Sequence, residues 1–170
     1  MSTTAMWLLL AVVIVVILFG SVLYKRTFTT KELALTGVMA ALSLVAYLFF
    51  RVPFYGGSSF HLGNTFTALT ALLLDGVSGG LAGAIGLALA DILAGDPGYA
   101  VTTFVLKFIV AGGSGLLLNV ITDPFLGYFR NIYIFGQEYT VAQALSKIAG
   151  GVTFVNSVAS TICVVILYLA

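Results

Sequence analysis

The scarcity of charged side chains constrains this chain more than any other feature. Its 170 residues include seven basic and six acidic side chains, 8% of the total, whereas 61% of the residues are hydrophobic. A soluble domain carries about 25% charged residues, so this chain cannot cover a water-facing surface. The composition excludes a soluble enzyme, a disordered regulator and a nucleic-acid-binding protein, and it indicates an integral membrane protein.

Long apolar segments predict an all-α integral membrane protein that crosses the bilayer as a bundle of six transmembrane helices. Each crossing needs ~20 apolar residues, and the alternation typical of membrane barrels is absent, which leaves helices as the spanning structure. The stretch Thr122–Glu138 is predicted to be a polar, aromatic connection between the last two spans. We predict a single membrane domain over residues 1–170, with spans at residues 6–24, 31–50, 61–74, 78–94, 99–121 and 140–169.

Basic residues predict the orientation, because cytoplasmic connections are richer in Lys and Arg than outward ones. Lys25, Arg26 and Lys31 separate the first two predicted spans, and Arg130 and Lys147 flank the connection between the last two. These two regions share one side if all six segments cross. We therefore expect the first connection to face the cytoplasm and the glycine-rich loops of the other side to face outward.

Polar residues collect beneath those outward loops. Asp91 and Lys107 each interrupt an apolar span, where a charge is costly unless it faces protein or water, and their similar depth permits an ion pair. An ion pair of Asp91 with Lys107 would either only hold two helices together or form the wall of a polar pocket. His61, Asn64 and Thr65 open the third span. Asn64 and Thr65 either only cap the helix, or this N-terminus offers hydrogen-bond donors to a ligand. Three aromatic residues flank the same face, as an interface belt or as stacking walls. The predicted substrate-binding residues are Tyr55, Phe60, His61, Asn64, Asp91, Tyr99 and Lys107.

Small residues predict two surfaces that allow close helix packing. In the span at residues 78–94, alanines and glycines repeat every four residues, with further glycines beside them. In the span at residues 31–50, Gly37 and Ala41 have the same spacing, and Ala34 lies next to them along the helix. This second face either packs inside the chain or docks a helix of another subunit.

No sequence motif for nucleotide hydrolysis or metal binding is found. A Gly-x-x-x-x-Gly-Lys-Ser/Thr loop is absent, and a lone histidine and a lone cysteine offer no zinc site. A small membrane hydrolase using Asp91 and Asp96 is one alternative function, although these residues are five positions apart across a turn and do not obviously converge. A ligand-free accessory membrane subunit is the other alternative.

Five segments together resemble the substrate-binding S component of energy-coupling factor (ECF) vitamin transporters, in the group that serves riboflavin, pyridoxine or hydroxymethylpyrimidine. These segments are Leu33–Ala41, Phe60–Phe66, Ala71–Gly83, Ala88–Asp91 and Thr103–Lys107.

This resemblance implies a multi-pass protein of the cytoplasmic membrane that binds a small water-soluble vitamin from outside and is not an enzyme. It implies a transmembrane T component and two ATP-binding subunits as partners, so ATP is used by the partners and no cofactor is expected in this chain. It also implies docking on the T component through Ala34, Gly37 and Ala41. Pyridoxine or hydroxymethylpyrimidine is favoured over riboflavin, because a compact polar site suits a small polar ring.

The chain departs from the family pattern in one respect. The six family helices would begin at Lys31, yet only five predicted spans follow that residue. We therefore expect the additional N-terminal segment, Met6–Tyr24, to fill the place of the last family helix.

Overall fold

The computed structural model describes residue 20 and residues 26–54, 58–113 and 116–170, without the side chains of residues 109–118. The chain divides into two compact units, Met1–Thr30 and Lys31–Ala170. Every element named below lies in the second unit, except for Thr30 at the start of the first helix. Apart from Gly20, the predicted span Met6–Tyr24 lies outside the described residues.

The described part of the second unit is helical apart from one short hairpin, so the prediction of an all-α protein is confirmed. Strands β1 (Val52–Pro53) and β2 (Ser59–Phe60) pair antiparallel after the first helix. The described helices are α1 (Thr30–Phe49), α2 (Gly63–Leu73), α3 (Gly76–Leu93), α4 (Pro97–Gly113), α5 (Leu116–Tyr133) and α6 (Tyr139–Leu169).

Three helices among the described residues, α1, α3 and α6, are long and apolar enough to cross a membrane by length and composition. Helix α2 has only 11 residues, about 16 Å at 1.5 Å per residue, which is shorter than the ~30 Å hydrocarbon core. The structure therefore supports a membrane protein, while six crossings stay a prediction.

The predicted connection Thr122–Glu138 is wrong, because most of it is helical. Helix α4 ends at Gly113, where the run of glycines weakens the helix, and α5 then continues to Tyr133. Pro124 lies inside α5, where its ring removes one backbone hydrogen bond. Its own carbonyl accepts a hydrogen bond from the Ser146 hydroxyl of α6 at 2.7 Å.

Helix α5 also changes how the chain compares with the family pattern. The prediction of five helices after Lys31 was wrong, since six helices occupy the described residues from Thr30 to Leu169. The number implied by the resemblance is reached without residues 6–24. The reason for placing the N-terminal segment in the position of the last family helix is therefore gone.

Glycines allow the backbone of α3 to approach its neighbours closely, as the small-residue pattern predicts. A Cβ atom on Gly83 would lie 2.5 Å from the Thr67 side chain of α2, and one on Gly80 would lie 3.0 Å from the backbone oxygen of Phe108 in α4. A Cβ atom on Gly86 would collide with the carbonyl oxygen of Ala40 in α1. Helix α3 therefore lies between α1, α2 and α4, and it positions Asp91 among them.

Candidate functional site

A polar cavity of about 70 Å³ lies between the helices at the end of α1, the segment before α2 and the α3–α4 turn. Helices α5 and α6 complete its wall. Five of the predicted site residues line it, namely His61, Asn64, Asp91, Tyr99 and Lys107. Phe60 is half-buried in β2 and is not among the described lining residues, and Tyr55 lies outside the described residues. A role in ligand binding stays a prediction for all seven.

Asp91 is fixed at the cavity by hydroxyl groups from two neighbouring helices. One carboxylate oxygen accepts a hydrogen bond from the Tyr47 hydroxyl of α1 at 2.8 Å. The other accepts one from the Thr103 hydroxyl of α4 at 2.5 Å. The direct partners of Asp91 are therefore hydroxyls, where the sequence suggested an ion pair with Lys107.

Lys107 lies deep in the same cavity, with 7% of its surface exposed. It shares the cavity with two carboxylates, Asp91 and Asp123. Asp123 accepts a hydrogen bond at 2.5 Å from the Thr153 hydroxyl of α6. Since an isolated charge is costly to bury, the cavity gathers charges that the surrounding apolar helices could not hold alone.

Arg130 is a cavity residue that the sequence analysis did not predict. Its guanidinium carbon lies 3.7 Å from the centroid of the Tyr99 ring, a cation–π contact, and Arg130 also donates to Thr102 at 3.4 Å. The guanidinium therefore covers one face of Tyr99, which limits that ring as a stacking wall. The expectation that Arg130 lies on the side opposite the outward loops was wrong, because α5 brings it back to the α3–α4 turn.

Asn156 of α6 fixes the segment that carries His61. Its side-chain oxygen accepts a hydrogen bond from the His61 backbone N–H at 2.9 Å, and its amide group donates to the Ser59 carbonyl at 2.9 Å. The His61 ring lies 4.4 Å from the Tyr47 ring, between centroids. Asn156 therefore joins α6 to the hairpin and to the segment before α2.

An ion pair connects the end of α1 with the α3–α4 turn beside the cavity. Arg51 contacts the Asp96 carboxylate at 2.5 Å and donates to the Ser59 hydroxyl at 2.9 Å. Burial lowers the pKa of Arg51. The hydrogen bond to Asp96 and the neighbouring negative charges together raise it by more, so the pKa lies above its usual value. Arg51 is therefore charged, and it holds the hairpin against the turn.

An apolar groove of about 460 Å³ lies between α1 and α3, away from the polar cavity. Gly37 and Ala41 line it, and Ala34 is exposed on the same helix. A Cβ atom on Gly37 would meet no heavy atom within 4 Å. The small residues of this α1 face therefore do not serve internal packing in the described residues.

Several lining residues carried no clear sequence signal. Tyr47, Thr103 and Thr153 are hydroxyl residues of a kind common in apolar helices. Asn119, Asp123 and Arg130 lie at i, i+4 and i+11, on one face of α5. A test of residues 116–133 for helical periodicity would have found this face. Among the described residues, no group of three or more His, Cys, Asp or Glu side chains is placed to hold a metal ion.

An apolar helix bundle around a small polar cavity is an architecture suited to a membrane protein that binds a small polar molecule. The model of the family "ECF-type riboflavin transporter, S component" matches residues 27–121. A UPF0397 protein of Exiguobacterium sp. (strain ATCC BAA-1283 / AT1b) is 32% identical over 126 residues, which cover 72% of this chain and 68% of that protein. No solved structure matches this chain. The chain belongs to the ECF-type S component family and is a substrate-binding subunit of a vitamin transporter, not an enzyme.

Proposed function

We propose that this S component binds a small heteroaromatic vitamin or vitamin precursor from outside the cell, with pyridoxine or hydroxymethylpyrimidine favoured over riboflavin. The observation that carries this proposal is the cavity of about 70 Å³ with four charged side chains, Asp91, Lys107, Asp123 and Arg130. Such a site offers both donors and acceptors to a small polar ring. The three fused rings of riboflavin call for a larger and more aromatic cavity, and one face of Tyr99 is already covered by Arg130.

Ligand identification tests this proposal directly. The protein is purified in mild detergent, and the co-purified small molecules are released and identified by mass spectrometry. Binding of pyridoxine, hydroxymethylpyrimidine and riboflavin to the ligand-free protein is then measured by calorimetry. Tighter binding of riboflavin than of the two smaller rings would overturn the preference, and absence of any bound vitamin would favour a ligand-free accessory subunit.

Substitutions test the cavity itself. We expect Asp91→Asn and Lys107→Ala each to weaken binding at least about tenfold, because a charged hydrogen bond contributes roughly 1.5–3 kcal/mol. Lys147→Ala is the matched control, since Lys147 is exposed on α6 and does not line the cavity. Unchanged affinity in both cavity variants would remove these residues from the proposed site.

The same proposal assigns the partners. A transmembrane T component and two ATP-binding subunits would complete the importer in the cytoplasmic membrane, with ATP hydrolysis on those partners driving uptake. The T component would dock on the α1 face formed by Ala34, Gly37 and Ala41, because small residues let a second helix approach closely. The open space at Gly37 supports this assignment.

Leucine substitutions separate docking from ligand binding. Gly37→Leu and Ala41→Leu should leave vitamin binding intact and abolish vitamin uptake in cells that express the whole importer. Val38→Leu is the matched control, since Val38 is exposed on α1 and does not line the groove. Uptake at the wild-type rate in both test variants would show that this face does not dock a partner.

A further inference from the structure

Two buried asparagines in the cavity have side-chain oxygens that no described residue satisfies. Asn64 lies in the first turn of α2 and Asn119 in the first turn of α5, and each is 1% exposed. The Oδ1 atom of each has no hydrogen-bond partner among the described residues. Both residues line the polar cavity.

Unfilled acceptors at this depth are unusual. Most buried polar side-chain atoms in proteins have a hydrogen-bond partner, and leaving one without a partner destabilises the fold. Here two such atoms belong to residues of different helices that line the same small cavity. The Nδ1 atom of His61, on the same cavity, also has no partner among the described residues. A group that enters the cavity is therefore the natural partner of all three.

The chemistry of the carboxamide says what this group must carry. An asparagine side chain presents an acceptor oxygen directly beside an amide donor. The complementary partner is a ring edge on which an amino group, as donor, lies next to a ring nitrogen, as acceptor. Asparagine binds adenine in DNA through this pair of hydrogen bonds. An aminopyrimidine has one such edge, and the second N–H of its amino group can donate to the other carboxamide oxygen, whereas a hydroxyl group has a single O–H to donate.

We infer that Asn64 and Asn119 select an aminopyrimidine, a ring with an exocyclic amino group beside a ring nitrogen, over a pyridine that carries only hydroxyl groups. The inference rests on the proposed vitamin-binding function, and it narrows the substrate class to hydroxymethylpyrimidine-type compounds.

A pair of matched ligands tests the inference on the wild-type protein. The probes are 4-amino-5-hydroxymethyl-2-methylpyrimidine and the same molecule with hydrogen in place of the amino group. We expect the compound without the amino group to bind about 10- to 100-fold more weakly, because it leaves buried acceptors without a partner. Pyridoxine should also bind more weakly than the aminopyrimidine. Since no variant is needed, the comparison does not depend on the folding of a mutant.

Leucine variants then connect the effect to the two residues. Asn64→Leu and Asn119→Leu should weaken binding of the aminopyrimidine by a similar factor and change binding of the compound without the amino group much less. Asn131→Leu is the matched control: Asn131 is 2% exposed, its Oδ1 atom also lacks a described partner, and it does not line the cavity. Thermal unfolding in detergent verifies that each variant is folded.

The outcomes distinguish this inference from the proposed function. Equal affinity for the two pyrimidines, or tighter binding of pyridoxine, would overturn the selection of an amino group while vitamin binding stands. Equal losses for both pyrimidines in the Asn64 and Asn119 variants would assign these residues a structural role only. If neither the pyrimidines, pyridoxine nor riboflavin binds, the proposed function fails, and this inference fails with it.

Discussion

Two glycines that line the same groove should respond in opposite ways to the addition of a single methyl group. Gly86 of α3 and Gly37 of α1 both lie inside helices and both line the groove between α1 and α3. A Cβ atom on Gly86 would collide with the Ala40 carbonyl oxygen and lie 3.0 Å from the Ser43 Cβ atom, whereas one on Gly37 would meet no heavy atom within 4 Å. The two substitutions add the same methyl group, but Gly37 has space for it and Gly86 does not.

The magnitude follows from two opposing terms. Alanine is favoured over glycine in a helix interior by about 1 kcal/mol, and this term is common to both variants. At Gly86 the helices must separate, because the preferred separation of non-bonded carbon atoms is about 3.5–4.0 Å. Overpacking of this kind destabilises a protein by about 1–3 kcal/mol. We therefore expect Gly86→Ala to be less stable than Gly37→Ala by about 1–3 kcal/mol, with Gly37→Ala at least as stable as the wild-type protein.

Equilibrium unfolding in mixed micelles, followed by circular dichroism, measures this difference. Both variants are compared with the wild-type protein in the same detergent mixture, so that the unfolded reference state is shared. Equal stability of the two alanine variants would refute the close approach of α1 and α3 at Gly86. A loss of stability in Gly37→Ala alone would show that the α1 face is packed, and it would also weaken the docking proposal.

Three further substitutions test contacts around the cavity by thermal unfolding. Asp96→Asn removes the ion pair with Arg51; because both side chains are partly exposed, we expect a loss below about 1 kcal/mol that high salt reproduces in the wild-type protein. Thr153→Val keeps the side-chain shape but leaves Asp123 without its hydroxyl donor, and it should destabilise by about 1–2 kcal/mol. Asn156→Leu removes the two hydrogen bonds from this side chain to the backbone of Ser59 and His61. It should destabilise by about 2 kcal/mol or more, so an unchanged melting temperature would contradict that role.

The length of the apolar segments predicted the long helices well, because a helix surrounded by lipid or by other helices is apolar over most of its surface. The predicted spans at residues 31–50, 78–94 and 140–169 agree with α1, α3 and α6 within two residues at each end. Helix α5 was missed for the same physical reason. Its polar residues face the cavity and a proline lies inside it, so a search for apolar runs interprets it as a loop, whereas a search for helical periodicity would not.

The cavity was predictable only where a residue is unusual in its surroundings. Asp91 and Lys107 interrupt apolar runs, so composition alone marks them as residues that need a polar partner. The partners they use cannot be read from the sequence, since Tyr47 and Thr103 are ordinary residues of a membrane helix. Their importance arises from the packing of α1 and α4 on α3, which places two hydroxyls on one carboxylate.

The partners of the arginines also change how the basic residues predict orientation. The positive-inside rule concerns charges that a connection presents to the lipid headgroups and the cytoplasm. Arg130 is 7% exposed and lies on the Tyr99 ring, and Arg51 contacts Asp96, so both are held by protein contacts at the cavity end. Lys31, which opens α1 at its other end, is exposed. Lys31 still predicts that the start of α1 faces the cytoplasm and that the cavity faces outward. Arg130 and Lys147, which flank the α5–α6 connection, no longer support this orientation, because Arg130 lies at the cavity end and Lys147 is exposed on the helix that follows it.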